Sequence, residues 1–362
     1  MSKIAVITLH YIRNYGSVLQ TYATQRKLEL LGHNVEIIDY VRPNAEENRR
    51  IKDGLNSKNF GKNVLKIFVY ILLKKIENFK RNMVCIDFLN KHVTLTRRYK
   101  DYNDLKTDPP EADVYCTGSD QTWNSEYNGG ILPAYYLEFA PDGKKRVGYS
   151  ISIGLSTIKE SEQEVTRQLV KKYDAISVRE DSAKKIIEEL GGSQVVHILD
   201  PTLVLNKKEW SDLIAPRMIK AKYIIVYRLN PNREMENFAK KLSDETGCRI
   251  VRMSYYFNHF RDQGKMIYTP TVEQFLSLIN YADYVITDSF HCTAFSLNFH
   301  KDFFVFYPDK YNSRLQSILE LTGTDHRVIN GKTEVKPIDF ERVDHIIAEQ
   351  RQKVDSFIQN NF

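Results

Sequence analysis

The sequence predicts an α/β protein in which two domains of parallel strands and flanking helices face each other across a cleft. Its 362 residues exceed what one ordinary hydrophobic core holds. Short apolar runs alternate with amphipathic helical stretches in both halves, which is typical of parallel sheets covered by helices. We place the first domain at residues 1–208, the second at 209–335, and a terminal helix that can pack back across both at 336–362.

The chain opens with a strand, a turn, a helix and a second strand. Ile4–Leu9 and Val35–Asp39 are apolar strands, and Ser17–Leu31 between them carries a helical apolar stripe. Doubly wound domains bind ligands in the loops that follow their strands. The candidate ligand contacts of this first loop are Asn14, Tyr15 and Gly16.

A basic segment interrupts the first domain. Between Arg42 and Lys100 the chain has 15 Lys or Arg against 5 Asp or Glu, a local balance of +10 in a protein of net charge +6. We predict a helical insertion at about 42–100 whose amphipathic part lies within 62–98. Such a helix either packs on the domain with its lysines in water or contacts an anionic partner such as a membrane surface.

A second polar loop follows the predicted strand Ala112–Thr117. Its sequence, GSDQTWN, is dense in hydrogen-bonding groups. Such a loop can hold a sugar, with polar groups on the hydroxyls and the indole ring over an apolar sugar face; otherwise its own side chains stabilise it. Arg179 ends a later strand, where it faces the same ligand or pairs with Glu180 or Asp181. The candidates are Ser119, Asp120, Gln121, Trp123, Asn124 and Arg179.

The second domain has its own polar strand ends. A short strand at 284–286 leads through a polar turn into a helix that begins near His291, and a helix start favours anions. His291 is the side chain there that can exchange a proton near neutral pH, although a buried histidine capped by Asp288 or Ser289 is the plainer interpretation. Arg228 ends another strand, and Arg314 begins a later helix.

Two arginines beside a helix start suit a ligand that carries phosphate and carboxylate groups. The donor-side candidates are Arg228, Asp288, Ser289 and Arg314, with His291 as general acid or base. The sequence contains no GxGxxG, P-loop, GxSxG or HExxH motif. The residues alone therefore predict a transferase without metal or cofactor that uses a small phosphorylated anion in the second domain and an acceptor in the first.

The ends and cysteines of the chain predict a cytoplasmic protein. The start, Met1–Ile4, lacks the zones of a signal peptide, and no apolar run approaches the roughly 20 residues of a membrane span. The four cysteines are scattered, as in a protein with reduced thiols.

Six blocks of the sequence resemble the polysaccharide pyruvyl transferase family, in the order in which that family has them. They are VITLHYIRNYGSVLQTYATQRKLELLGHNVEIIDY, CTGSDQTWN, AISVRED, LDPTLVL, ADYVITDSFHCTAFS and YNSRLQSIL. The resemblance implies a GT-B-like pair of Rossmann-like domains with the active site between them. It also implies transfer of the enolpyruvyl unit of phosphoenolpyruvate onto a nucleotide-linked or lipid-linked glycan precursor of a bacterial surface polysaccharide, leaving a pyruvate ketal.

The resemblance assigns roles to residues of the second domain. His291 matches the expected general acid, and Arg228 matches an arginine that would hold the phosphate or carboxylate, with Arg314 a weaker match. Ser289 departs from the family pattern, because many members have arginine there; Arg314, Arg179 or Lys301 would replace that contact. No nucleic acid partner is expected, and a lipid-linked acceptor would give the basic segment a use at the inner face of the membrane.

Two other hypotheses fit parts of the sequence. The first is a GT-B-like glycosyltransferase that binds a nucleotide sugar near His291. The second is a membrane-peripheral organiser without enzymatic activity, in which the segment Arg42–Lys100 is the working part.

Overall fold

The computed structural model of the chain describes residues 1–43, 55, 63–192, 194–308, 312–330 and 336–362. Much of the first half of the predicted basic insertion, at 44–54 and 56–62, lies outside these residues. Within the described part the chain forms two parallel sheets flanked by helices, which confirms the predicted fold class.

The strands follow the apolar runs of the sequence. In chain order they are β1 (Lys3–Ile7), β2 (Asn34–Tyr40), β3 (Leu95–Tyr99), β4 (Val114–Thr117), β5 (Lys145–Ile151), β6 (Ala175–Val178), β7 (Val195–His197), β8 (Tyr223–Tyr227), β9 (Arg249–Ser254), β10 (Lys265–Tyr268), β11 (Tyr284–Thr287) and β12 (Asp302–Val305). The first sheet has the order β3-β2-β1-β4-β5-β6-β7, and the second has β10-β9-β8-β11-β12. The strand order reverses beside β1 and beside β8, where such sheets open a crevice for ligands.

Helices cover both sheets. They are α1 (Tyr15–Leu30), α2 (Val64–His92), α3 (Tyr102–Thr107), α4 (Ser125–Asn128), α5 (Glu160–Val170), α6 (Asp181–Glu189), α7 (Pro201–Val204), α8 (Lys207–Trp210), α9 (Arg233–Thr246), α10 (Val272–Asn280), α11 (Phe290–Asn298), α12 (Ser313–Thr322) and α13 (Phe340–Asn361). No described helix is long and apolar enough to span a bilayer.

Two buried helices join the sheets. The side chain of Asn14 caps α1 by accepting a hydrogen bond from the Ser17 amide at 2.8 Å. Helix α1 contacts α10 and α11 of the second half as well as its own sheet. All nine residues of α11 are buried, which explains why its sequence is apolar on every side rather than along one stripe.

The terminal helix α13 returns to the first half. Asp355 forms an ion pair with Lys27 of α1, and Arg351 donates to the carbonyl oxygen of Leu203 at 2.9 Å. At the end of the chain the Ser2 hydroxyl donates to the Phe362 carbonyl oxygen at 2.9 Å. These contacts tie the two sheets together behind the crevice.

Candidate active site

A cleft of about 590 Å³ lies between the carboxyl ends of the two sheets. The first half contributes Asn14, Gly16, Ser17, Asp120, Gln121 and Tyr127. The second half contributes Arg228, Asn230, Asp288, Ser289, His291 and Arg314. A cavity of this size is typical of small-molecule binding sites.

His291 lies in the first turn of α11, directly after the end of β11. Ser289 is the N-cap, and its hydroxyl oxygen accepts a hydrogen bond from the Cys292 amide at 3.4 Å. The His291 side chain is buried, with its Nε2 atom 4.0 Å from Oδ2 of Asp200. This nitrogen has no hydrogen-bond partner within the described residues. The imidazole is therefore held in place with one buried nitrogen that makes no hydrogen bond to the described residues.

The backbone of Gly16 packs against the ring of His291. A Cβ atom added at Gly16 would lie 2.0 Å from Nδ1 of His291, far inside van der Waals contact. Only glycine fits at this position, because the ring of His291 from the second half occupies the space where a side chain of residue 16 would lie. The prediction that Gly16 belongs to the cleft thus has a specific reason, which is the close approach of the imidazole.

The surroundings of His291 lower its pKa to about 4. Burial is the largest cause, and the positive charges of Arg179 and Arg314 act in the same direction, whereas Asp200 and Asp120 oppose them. The imidazole is consequently neutral at pH 7 in the free protein. A bound anion beside it would raise this pKa, because opposite charge favours the protonated ring.

A buried ion-pair network lies beneath the histidine. Arg179 has a fully buried side chain and forms a close ion pair with Asp200. Its guanidinium also lies 3.3 Å from Oδ1 of Asp120 and donates to the Ser119 hydroxyl at 3.2 Å. Burial by itself would raise the pKa of Asp120, but Arg179, His291 and Arg314 hold it at about 2. Arg179 therefore fixes two carboxylates and does not itself line the cleft.

Arg314 borders the cleft without a direct ion pair to a described residue, although three carboxylates of the first half act on it at longer range. Its guanidinium carbon lies 5.7 Å from the centre of the Phe290 ring. Nε is buried without a hydrogen-bond partner, and the side chain forms no ion pair with a residue that the structure describes. Burial, followed by the nearby charge of Arg179, lowers its pKa. An anionic ligand would stabilise the charged guanidinium and so offset both its burial and its repulsion from Arg179.

Arg228 occupies the same cleft but is already paired. It donates to Oε1 of Glu236 at 2.5 Å and to Oδ2 of Asp262 at 3.0 Å. Asp288 fixes the neighbouring loop by accepting from the backbone amides of Leu229 and Asn230 at 2.7 and 2.9 Å. These contacts make Arg228 and Asp288 parts of a rigid frame, although both border the cavity.

The family model of the polysaccharide pyruvyl transferases matches residues 14–310. The chain belongs to the polysaccharide pyruvyl transferase family. The matched region contains most of the residues that line the cleft, His291 among them, although Arg314 lies just beyond it. The match confirms the family that the six sequence blocks indicated. No curated protein matches the chain significantly.

Solved structures resemble this family member in fold. A UDP-N-acetylglucosamine 2-epimerase has a TM-score of 0.50 at 11% identity, covering 98% of this chain and 94% of its own. The UDP-GlcNAc 2-epimerase from Neisseria meningitidis bound to UDP-GlcNAc scores 0.47 at 11% identity, covering 99% and 93%. The E. coli heptosyltransferase WaaC with ADP scores 0.42 at 10% identity, covering 96% and 99%. At these identities the likeness concerns the GT-B-like arrangement alone.

Trp123 requires a correction. Its side chain is 3% exposed and stacks on Tyr136, with the ring centres 4.8 Å apart, while its indole N–H donates to the Tyr135 carbonyl oxygen at 2.8 Å. Asn124 is also buried and caps α4 by accepting from the Tyr127 amide at 2.9 Å. The prediction that this indole covers a sugar was wrong, because the loop turns it into the core. Within this loop Asp120 and Gln121 reach the cavity.

Tyr15 and Ser119 also lie behind the cleft rather than in it. The Tyr15 ring stacks between Tyr255 and Phe275, at centre distances of 4.6 and 4.4 Å, and its hydroxyl donates to the Pro270 carbonyl oxygen at 2.7 Å. Ser119 is buried beneath Arg179. Both were predicted to contact a ligand, but Tyr15 joins the two halves and Ser119 supports the ion-pair network.

Arg81 is a cleft residue that the sequence analysis missed. It comes from α2, the helix interpreted as a basic surface element, and it lines the cavity. One terminal nitrogen donates to Oδ1 of Asn78 at 2.9 Å, and Nε has no partner among the described residues. A signal was present, because Glu77, Asn78 and Arg81 share the helix face of the buried Cys85. Polar residues on a packed face often mark a site.

Proposed function

We propose that the protein transfers the enolpyruvyl unit of phosphoenolpyruvate onto hydroxyl groups of a surface-polysaccharide precursor and forms a pyruvate ketal. The observation that carries this proposal is that one cleft brings together an imidazole with a nitrogen that has no hydrogen-bond partner and an arginine that has no direct ion pair among the described residues. Phosphoenolpyruvate supplies what both groups lack, a compact anion with two charged ends and a carbon that accepts a proton.

The anion would lie at the start of α11. Arg314 would bind its phosphate or carboxylate, and the free backbone amides at the start of α11 would add partial positive charge. Arg81 is a further cation that lines the cleft, and it is a candidate for the anion contact that the resemblance assigns to an arginine at position 289 in many family members. The side chain of Ser289 is smaller than arginine and would leave room for another cation at that point.

Bound donor would change the protonation of His291. Its negative charge opposes the effects of burial and of Arg314, so the imidazole takes up a proton and becomes an acid. The acid protonates the methylene carbon of the donor, and positive charge develops at the adjacent carbon. A sugar hydroxyl attacks that carbon, the bond from it to the phosphate oxygen breaks, and a second hydroxyl closes the ketal. Of the two hydroxyl protons, one replaces the proton given to carbon and one leaves with phosphate.

The acceptor would approach from the wall formed by the first half. Asn14, Ser17, Asp120 and Gln121 present amide, hydroxyl and carboxylate groups there, which suit sugar hydroxyls. Asp120 stays ionised through its contact with Arg179 and accepts from the Ser17 hydroxyl at 2.7 Å. It can orient a hydroxyl or receive its proton.

The test is incubation with phosphoenolpyruvate and a panel of nucleotide-linked and lipid-linked sugars. We expect release of phosphate and an acceptor mass gain of one pyruvate less one water. In D₂O the new methyl group should carry one deuterium, because its third hydrogen comes from the acid. Turnover of nucleotide sugars without any incorporation from phosphoenolpyruvate would overturn the proposal in favour of a glycosyltransferase, and an inert protein across the panel would also count against it.

A further inference from the structure

The outward face of α2 is apolar over its first twenty residues. Phe68, Phe79 and Leu65 are 62%, 64% and 72% exposed. The face consists of Val64, Leu65, Phe68, Val69, Leu72, Leu73, Ile76, Phe79 and Met83, all of them exposed. At about 100° per residue these positions fall within one half of the helix circumference. They form one continuous surface, which we call the α2 apolar face.

The opposite side of the same helix faces the protein and carries three buried polar residues near its middle. Glu77 is buried and accepts a hydrogen bond from the Phe257 amide at 2.7 Å, and Asn78 and Arg81 are buried beside it. A helix that only covers a soluble domain shows the reverse arrangement, with apolar residues inward. An exposed apolar surface of this extent is typical of a contact with a partner or a membrane.

The charges along the helix identify the partner. Lys66, Lys75 and Lys80 are exposed, whereas Glu77 is the one acidic residue between positions 64 and 83 and is turned inward. Lysines beside an apolar face suit a surface with anionic headgroups above hydrocarbon. A second copy of the chain on this face would bring lysines against lysines.

We propose that α2 docks on an anionic lipid bilayer, lying in the plane of the headgroups with the α2 apolar face turned toward the acyl chains. Because Arg81 lines the cleft from the same helix, docking would hold the cleft beside the membrane surface. The sequence indicated a membrane contact through charge, but in the structure most of the exposed side chains that would form this contact are apolar. This inference rests on the α2 apolar face and the lysines beside it and is independent of the chemistry proposed for the cleft.

The test is flotation of the full chain with vesicles of phosphatidylcholine, with and without phosphatidylglycerol. The variant Phe68→Ser/Leu72→Ser/Phe79→Ser should lose roughly tenfold or more in partitioning. Leu30→Ser/Val165→Ser/Met218→Ser changes three exposed apolar residues elsewhere and should bind like the unaltered protein. Lys66→Gln/Lys75→Gln/Lys80→Gln should lose the preference for phosphatidylglycerol and bind both vesicles weakly.

Insertion is read independently by fluorescence. A tryptophan placed by Phe79→Trp should be quenched by lipids brominated in their acyl chains, and one placed by Leu30→Trp should not. The proposal is overturned if the unaltered protein fails to float with anionic vesicles, or if the triple serine variant floats equally well. It is also overturned if light scattering shows a dimer that this variant dissociates, since a second copy would then occupy the face.

Discussion

The two walls of the cleft differ in how their charges are matched. On the side of the first wall, Asp120 of the lining and Asp200 behind it share Arg179, which forms an ion pair with each although its Nε has no hydrogen-bond partner in the described residues. On the second wall, His291 has a nitrogen without a hydrogen bond, and Arg314 has no ion pair with any described residue. Buried polar groups normally find partners, so under the proposed function the first wall serves as a frame and the second wall binds the anionic donor.

The same contrast separates two arginines on one wall. Arg228 satisfies Glu236 and Asp262, whereas Arg314 faces an aromatic ring and open space. Both end up in the cavity lining, so proximity alone does not distinguish them. Their ion pairing does distinguish them, and under the proposed function it favours Arg314 over Arg228 as the ligand of the anion.

The largest effect should come from His291. His291→Gln keeps a polar side chain of similar size but removes the proton donor, so activity should fall by about 10²–10⁴-fold. Binding of phosphoenolpyruvate should fall much less, as measured by calorimetry. Near-normal turnover in a folded variant would show that another group supplies the proton.

Gly16→Ala tests whether activity requires the close contact between Gly16 on the first wall of the cleft and His291 on the second. The added methyl group cannot coexist with the ring of His291, so we expect the imidazole to move and activity to fall by about 10²-fold, since small misplacements at reacting groups carry such penalties. In a His291→Ala background the clash is absent, and the same change should have almost no further effect. Equal losses in both backgrounds would contradict the contact.

The two arginines should respond in opposite ways. Arg314→Gln should weaken phosphoenolpyruvate binding by about 10–100-fold, as expected from loss of a charge-assisted bond, with little change in thermal stability. Arg228→Gln leaves Asp262 without its arginine and Glu236 with Arg252 alone, and it should lower the free energy of unfolding by about 1–3 kcal/mol. Isothermal calorimetry and denaturant unfolding measure the two quantities. If the Arg228 variant were stable but no longer bound phosphoenolpyruvate, Arg228 would be the donor ligand that the family resemblance implies.

The pKa of His291 should move when the donor binds. In the folded protein it lies at about 4, below the ordinary value of 6.5. The stabilisation associated with the neutral ring is therefore complete above pH 6.5 and is lost as the pH falls toward 4. Phosphoenolpyruvate should raise this pKa by about 1–3 units, and Arg314→Gln should raise it in the free protein. NMR titration of the His291 ring protons measures this pKa with and without phosphoenolpyruvate. A fall in the pKa on binding would exclude an anion beside the ring.

The smallest effect on function should come from Trp123. Trp123→Phe removes the hydrogen bond to Tyr135 and part of the packing, so the free energy of unfolding should fall by about 1–2 kcal/mol. The acceptor KM should stay within twofold, roughly the scatter of an unrelated change. A large rise in the acceptor KM without loss of stability would show that the Trp123 indole does contribute to acceptor binding.

Strand ends were predictable from the sequence, but the direction of the side chains after them was not. The apolar run before Trp123 fixes where β4 ends, yet the core position of the indole depends on Tyr135 and Tyr136, which follow a further turn of the chain. Similarly, the pattern of α2 defines two faces without saying which one packs. Both outcomes depend on neighbours that are distant along the chain.

The sequence by itself determined the alternation of strands and helices, the family, and the place of His291 at a strand end before a helix. Local periodicity and short motifs encode these features. Only the tertiary structure decided that Gly16 presses on His291, that Arg228 is paired, that Arg314 is not, and that Arg81 belongs to the cleft. The reason is physical: each of these facts depends on which distant groups share a space, and pairing and burial exist only after the two sheets have come together.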